Sequence, residues 1–112
     1  MRIINASGEL SPKETYLLCK AQNVQKMSDN IGVQFNVKAW AIYEEEDKKE
    51  EGKVNTILSL TDGECSMATN SPTFIESFMD IVDIFGNSNY HITVHEGISK
   101  NGRKFIQCIY VD

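Results

Sequence analysis

The sequence lacks the features that mark exported, membrane-spanning and most catalytic proteins. No uninterrupted apolar run is long enough for a signal peptide or a membrane span, so we expect a cytoplasmic protein with no membrane association. A Gly-rich phosphate loop, an HExxH motif and a GxSxG motif are all missing. We therefore expect no enzymatic activity and no catalytic residues.

Metal and redox motifs are missing as well. The three cysteines, Cys19, Cys65 and Cys108, are far apart and form no CxxC pair, so we expect buried, reduced thiols. His91 and His95 lie four residues apart on a predicted strand, and four strand residues span about 13 Å. That separation is too large for one metal ion. We expect no metal site and no cofactor.

Negative charge is present in excess, but it is concentrated in two segments. The 112 residues carry a net charge of −5. Residues 44–51, EEEDKKEE, contain six acidic and two basic residues, and residues 72–85 add three more acids. The rest of the chain is slightly basic. Because a binding surface depends on local charge, the acidic balance does not exclude a polyanionic ligand.

The N-terminal part predicts one helix followed by a linker. Ser11 is a suitable N-cap, Pro12 suits the first helical position, and Glu14 completes a capping box. The helix is predicted over residues 12–21, and QNVQKMSDNIG after it is predicted to be irregular. Residues 1–30 are assigned to this helix and linker.

The middle of the chain predicts three strands. VQFNVKAWAIY, residues 33–43, alternates in a way that is typical of a long strand with one buried face. In that pattern Val33, Phe35, Val37, Ala39, Ala41 and Tyr43 face the core. Lys38 and Trp40 would then face outward. Strands at residues 54–60 and 64–69 follow, joined by a turn at Asp62-Gly63.

The C-terminal part predicts a helix and two more strands. Ser71, Pro72 and Gly86 delimit a helix over residues 72–85, whose apolar residues recur at helical spacing. Strands are predicted over residues 90–96 and 104–111. GISKNGR joins them as a hairpin loop with Asn101-Gly102 as the turn signal.

The order of these elements predicts a mainly β domain of the OB-fold class. After the leading helix the order is β-β-β-α-β-β, which is that of the five-stranded OB-fold barrel. We assign residues 1–112 to one domain, with the barrel in residues 31–112. A double-stranded RNA-binding domain, α-β-β-β-α, would account for residues 12–85. It would leave the last two strands unplaced, and NSPTFIES at its second helix carries no cation for phosphates.

Two groups of residues are candidates for nucleic-acid binding. An exposed Trp40 beside Lys38 would stack on a base, an interaction worth about 1–3 kcal/mol. The alternative is that Trp40 packs under the leading helix. Lys100, Arg103 and Lys104 lie in the loop between the last two strands, which is a ligand-binding loop in an OB-fold. The alternative there is a solvated hairpin tip.

The sequence resembles a family of nucleic-acid-binding proteins. TNSPTFIESFMDIVDIFG, GISKNGRKFIQC and the opening SPKETYLL…VQKMSD…VKAWAIYEEE are similar to the small single-stranded DNA-binding proteins of phages of Gram-positive bacteria. The resemblance covers most of the chain. It implies an OB-fold that coats replication intermediates in the host cytoplasm, independently of DNA sequence, with replication proteins as further partners. It implies DNA contacts at Lys38, Trp40, Lys100, Arg103 and Lys104.

The acidic run leaves a second function open. Many cellular single-strand binders recruit partners through an acidic tail, whereas this chain carries its acids in residues 44–51. That run lacks the spaced acids of a calcium-binding loop. The run is also compatible with a second function, in which the chain is an acidic phage protein that occupies the nucleic-acid groove of a host protein and inhibits that protein.

Overall fold

Two β-sheets and two helices make up the computed structural model, which describes all 112 residues. The elements are β1 Arg2–Ala6, α1 Pro12–Cys19, β2 Gln25–Lys26, β3 Gln34–Val37, β4 Ala39–Glu46, β5 Val54–Thr61, β6 Ser66–Thr69, α2 Pro72–Phe85, β7 Tyr90–Ile98 and β8 Lys104–Val111. A 3-10 turn, Met27–Asp29, follows β2. Strands hold 43% of the residues and helices 22%, so the prediction of a mainly β protein is confirmed.

The sheets share one bent strand and remain open. One sheet has the order β1-β4-β5-β6-β2 and the other β3-β7-β8. β3 and β4 are the two halves of the single strand predicted over residues 33–43, which passes from one sheet to the other at Lys38. The predicted five-stranded OB-fold barrel is not confirmed, because the two sheets do not close into a barrel. The structure has eight strands, and β8 pairs with β7 but with no strand of the larger sheet.

The segment between α1 and β3 occupies the edge at which the sheets could have closed. β2 pairs in parallel with β6, with Gln25 opposite Met67. The 3-10 turn then places Met27 in the main core, where it is fully buried. The prediction of an irregular linker here is therefore wrong. A two-residue strand and a single apolar anchor are too short to produce a sequence pattern.

The bend at Lys38 changes which side chains reach the core. Phe35 and Val37 point into the core from β3, whereas Trp40 and Ile42 do so from β4. Strand side chains alternate, so a change from odd to even positions requires an irregular step between the two halves. Lys38 lies at that step and is exposed.

The prediction that Trp40 faces outward is wrong. Its side chain is 1% exposed, and its Nε1 donates a hydrogen bond to the carbonyl of Asn87 at 2.8 Å. The indole meets the ring of Phe78 edge to face, with the centroids 5.5 Å apart. Trp40 therefore packs against α2 and not under α1, where Ala39 and Ala41 lie instead.

Both predicted helices begin where their caps indicate. The Glu14 N–H donates to Ser11 Oγ at 3.1 Å, and the Ser11 N–H donates to the Glu14 carboxylate at 2.9 Å. At the second helix the Phe74 N–H donates to Ser71 Oγ at 3.3 Å. α1 ends at Cys19, two residues before the predicted end, and α2 has the predicted bounds.

Replacing Trp40 tests its buried placement. Trp40→Phe is expected to lower the free energy of unfolding by about 1–3 kcal/mol, because it leaves the Asn87 carbonyl without its donor and opens a void beside Phe78. Urea unfolding followed by circular dichroism measures the change. Tyr16→Phe is the control, since Tyr16 is 57% exposed. Equal stabilities of the two variants would contradict the buried placement.

Candidate nucleic-acid interface

The turn between β7 and β8 is fixed by its own hydrogen bonds. The Ser99 N–H donates to the Arg103 carbonyl at 2.8 Å, and the Gly102 N–H donates to the Ser99 carbonyl at 2.9 Å. The Arg103 N–H donates to Ser99 Oγ at 3.2 Å. Gly102 has a φ of 77°, in the left-handed region that glycine adopts without strain. The predicted hairpin with its turn at Asn101-Gly102 is confirmed.

The three cations at this turn have different surroundings. Lys100 and Arg103 are exposed in the turn and make no ion pair. Lys104 is the first residue of β8, and its Nζ lies 4.0 Å from Glu96 Oε1. An exposed pair of this kind contributes little to stability, but it neutralises part of the lysine's field. Lys100 and Arg103 are therefore the two cations at the turn that no carboxylate offsets.

Lys38 lies at the other end of the smaller sheet. Val37, which precedes it, pairs with Tyr90 at the start of β7, whereas the basic turn follows Ile98 at the end of β7. Nine strand residues separate these ends, a distance of roughly 30 Å. The structure thus does not bring Lys38 next to the basic turn.

One side of the smaller sheet is uncovered, and we call it the open face. Ile92, Val94, Ile106 and Cys108 point from β7 and β8 into the core, so the residues between them point outward. The open face consists of Gln34, Asn36, His91, Thr93, His95, Gly97, Phe105, Gln107, Ile109 and Val111. None of these residues is buried, and none is acidic. Neither helix therefore lies across this face.

Phe105 is the one phenyl ring on the open face. It lies directly opposite Gly97 across the hairpin. A β carbon at Gly97 would come within 2.4 Å of Cζ and within 2.8 and 3.0 Å of the two Cε atoms of Phe105. The ring therefore covers the bare backbone of the glycine.

Phe105 was not among the site residues predicted from the sequence. The predicted strand ended at Glu96, which left Gly97 in the loop. The available signal was the glycine itself, since an isolated glycine in a strand indicates the close approach of another group. The structure continues β7 through Gly97 to Ile98.

The surface that an OB-fold uses for its ligand is partly covered here. That surface lies on the second and third barrel strands, which correspond to β5 and β6. The outward side chains of Ser59 and Thr61 on β5 are fully buried, and Ser59 pairs with Ala41, which packs beneath α1. On β5, only the first four residues, 54–57, remain accessible on this surface.

Three clefts meet near that accessible half, where the two sheets fail to close. Their volumes are about 410, 480 and 380 Å³, and Asn70 lines all three. Lys26 and Lys104 line parts of the clefts, but so do Glu76 and Glu96. Because charges of both signs line these clefts, they suit a polyanion less well than the open face does.

Lys53, which follows the acidic run, neutralises part of the charge of the run. The first three residues of the run, 44–46, extend β4, and Asp47 then anchors the loop. Asp47 Oδ1 accepts a hydrogen bond from the Lys49 N–H at 2.8 Å, which lowers the pKa of this carboxyl below its ordinary value. The Lys53 Nζ lies 3.9 Å from Asp47 Oδ2 and 3.8 Å from Glu50 Oε2.

The three cysteines differ in burial. Burial raises the pKa of the Cys108 thiol to about 12 and also raises that of half-buried Cys19, so both are protonated and poor nucleophiles. Cys65 is exposed, which corrects the expectation that all three thiols are buried.

No group of three or more His, Cys, Asp or Glu side chains is placed to hold a metal ion. Neither helix is long and apolar enough to cross a membrane.

Asp47 makes stability depend on pH in a defined direction. Its pKa is lower in the folded state than the 3.8 of a free carboxyl, so its contribution is present above that pH and is lost as the pH falls through the folded pKa. Asp47→Asn is therefore expected to unfold at a lower urea concentration than wild type at neutral pH, and the difference should close below about pH 4. Glu51→Gln in the same loop is the control. A difference that persists unchanged in acid would contradict this role.

No protein-family profile, curated protein or solved structure matches the chain. The resemblance to phage single-stranded DNA-binding proteins stays a prediction. Of the surfaces described above, the open face is the one without acidic side chains.

Proposed function

We propose that the protein binds single-stranded DNA without sequence preference, along the open face and the basic turn. One observation carries the proposal. In a chain with a net charge of −5, the open face has no carboxylate and ends at the turn that carries Lys100 and Arg103. Lys38 follows β3 at the other end of the smaller sheet, where its side chain lies near Gly63. Contacts from Lys and Arg to phosphates supply most of the affinity of sequence-independent binding.

The polar side chains of the open face fit a strand whose bases are unpaired. Gln34, Asn36 and Gln107 present amides on this face, and His91 and His95 present ring nitrogens. Amides donate and accept hydrogen bonds, so they can meet any base edge. No dedicated base-reading pocket is needed, and this suits a protein that coats DNA of any sequence.

The strand connections support an OB-like architecture as part of this proposal. If β3 and β4 count as one bent strand, the order from β3 to β8 is β-β-β-α-β-β. The bent strand pairs with β7 through its first half and with β5 through its second half. An OB-fold is a partly open barrel, so the gap between β6 and β8 is compatible with it.

The same pairing disfavours a duplex-RNA module. In an α-β-β-β-α domain the chain after α2 would have no place in the sheet. Here β7 pairs along the whole of β3, and β8 pairs along β7.

In an infected cell, the protein would coat replication intermediates in the host cytoplasm and meet replication proteins there.

Removing the two unpaired cations of the turn tests the proposal. Lys100→Ala/Arg103→Ala is expected to bind oligo-dT more weakly than wild type. The slope of log K against log salt should also become less steep by about 0.7 for each phosphate contact that is lost, or about 1.4 for two. Fluorescence anisotropy of a labelled oligo-dT over a series of salt concentrations measures both quantities.

The matched control removes the same charge elsewhere. Lys13→Ala/Lys48→Ala takes two exposed lysines from α1 and the acidic loop, and it should leave affinity and salt slope unchanged. Equal weakening by both double variants would assign the effect to net charge and not to the turn. A wild-type protein that does not bind oligo-dT even at low salt, or that prefers duplex DNA or RNA, would refute the proposed function.

A further inference from the structure

The ring of Phe105 lies over the backbone of Gly97. Three of its carbons lie within 3.0 Å of the position that a β carbon of Gly97 would occupy, so the ring rests against bare backbone. Phe105 is half-buried, so the ring packs on the backbone of Gly97 while part of the side chain stays accessible to solvent.

Phe105 has no packing role in the core that would account for it. Its neighbour Ile106 points into the core, and alternation directs Phe105 to the opposite side. The aromatic pairs of the protein are Trp40 with Phe78, Phe85 with Tyr110, and Tyr90 with Tyr110. Phe105 takes part in none of them, so its ring has no aromatic partner within the chain.

The surroundings of the ring are those that a nucleotide requires. Arg103 lies two residues before Phe105, at the point where the turn enters β8. The His95–Gln107 pair is the next pair along the open face and offers hydrogen bonds at the side of the ring. The nearest carboxylate along β7, Glu96, points to the other side of the hairpin, where it meets Lys104. An aromatic ring between free cations and polar groups, with no acid on its face, is complementary to an unpaired base and its phosphates.

We infer that Phe105 is a stacking site for one unpaired nucleobase. The inference rests on the proposed function and deepens it, because it names the group that recognises the base and not the phosphate. A base in a duplex already has both of its faces stacked, whereas an unpaired base offers one to an aromatic side chain. The ring of Phe105 would therefore provide the preference for single strands that cations alone do not provide.

The test separates base contacts from phosphate contacts. Wild type and Phe105→Leu are titrated with oligo-dT and with an abasic oligonucleotide of the same length, which keeps the sugar–phosphate chain but has no bases. Phe105→Leu is expected to lower the affinity for oligo-dT by about 5- to 150-fold, the range that one base–aromatic stack supplies. Its affinity for the abasic strand should equal that of wild type. Phe105→Tyr, which keeps the ring, should retain most of the affinity for oligo-dT.

Phe85→Leu is the matched control. Phe85 is 47% exposed and stacks on Tyr110, with the ring centroids 3.7 Å apart, on the core side of β8. This variant should leave the ratio of oligo-dT to abasic affinity unchanged.

Each contrary outcome has its own meaning. If Phe105→Leu weakens both strands equally, the ring only supports the hairpin, and the stacking site is refuted. An unchanged affinity for oligo-dT also refutes it, while leaving the proposed function intact. If wild type binds neither strand at low salt, the proposed function fails and the stacking site fails with it.

Discussion

The irregular step at Lys38 is the constraint on which the rest of the structure depends. One strand serves two sheets, and the step between its halves allows each half to direct its own side chains into the core. Phe35 and Val37 do so before it, and Trp40 and Ile42 after it. A straight strand would have left Trp40 on the side where Ala39 and Ala41 pack beneath α1. There Ala39 and Ala41 leave room for Leu18 of α1, so the step decides both the core and the placement of the leading helix.

Local signals in the sequence were sufficient for the helices and the final hairpin, but not for the sheets. Caps at Ser11 and Ser71 and the turn at Asn101-Gly102 depend on contacts within a few residues, so the local residue pattern predicts them. The orientation of Trp40 was predicted wrongly because alternation assumes a straight strand, and no residue type around Lys38 indicates a bend. β1 and β2 were missed because short edge strands depend on distant partners and carry little pattern of their own.

For the candidate site as well, only the part that depends on local properties could be predicted from the sequence. The cations of the basic turn could be found from residue type and position, since both the charge and the turn are local properties. Phe105 could not be found from residue type, because a phenylalanine in a strand usually belongs to a core. Its orientation depends on the hairpin register, which places it opposite Gly97. The glycine was a visible signal, but its meaning requires knowing which residue lies across from it.

A single hairpin carries both the free cations and the ring that we propose as a stacking site. The register that places Phe105 over Gly97 also places Arg103 at the end of the turn, two residues away, so a base and its phosphate could be met at once. The carboxylates of this acidic chain are kept off the open face. Those of the acidic loop are partly offset by Lys53, and Glu96 is paired with Lys104 on the other side of the hairpin. In the function that we propose, Lys100 and Arg103 would therefore meet a phosphate without a competing carboxylate, although the net charge of the chain is negative.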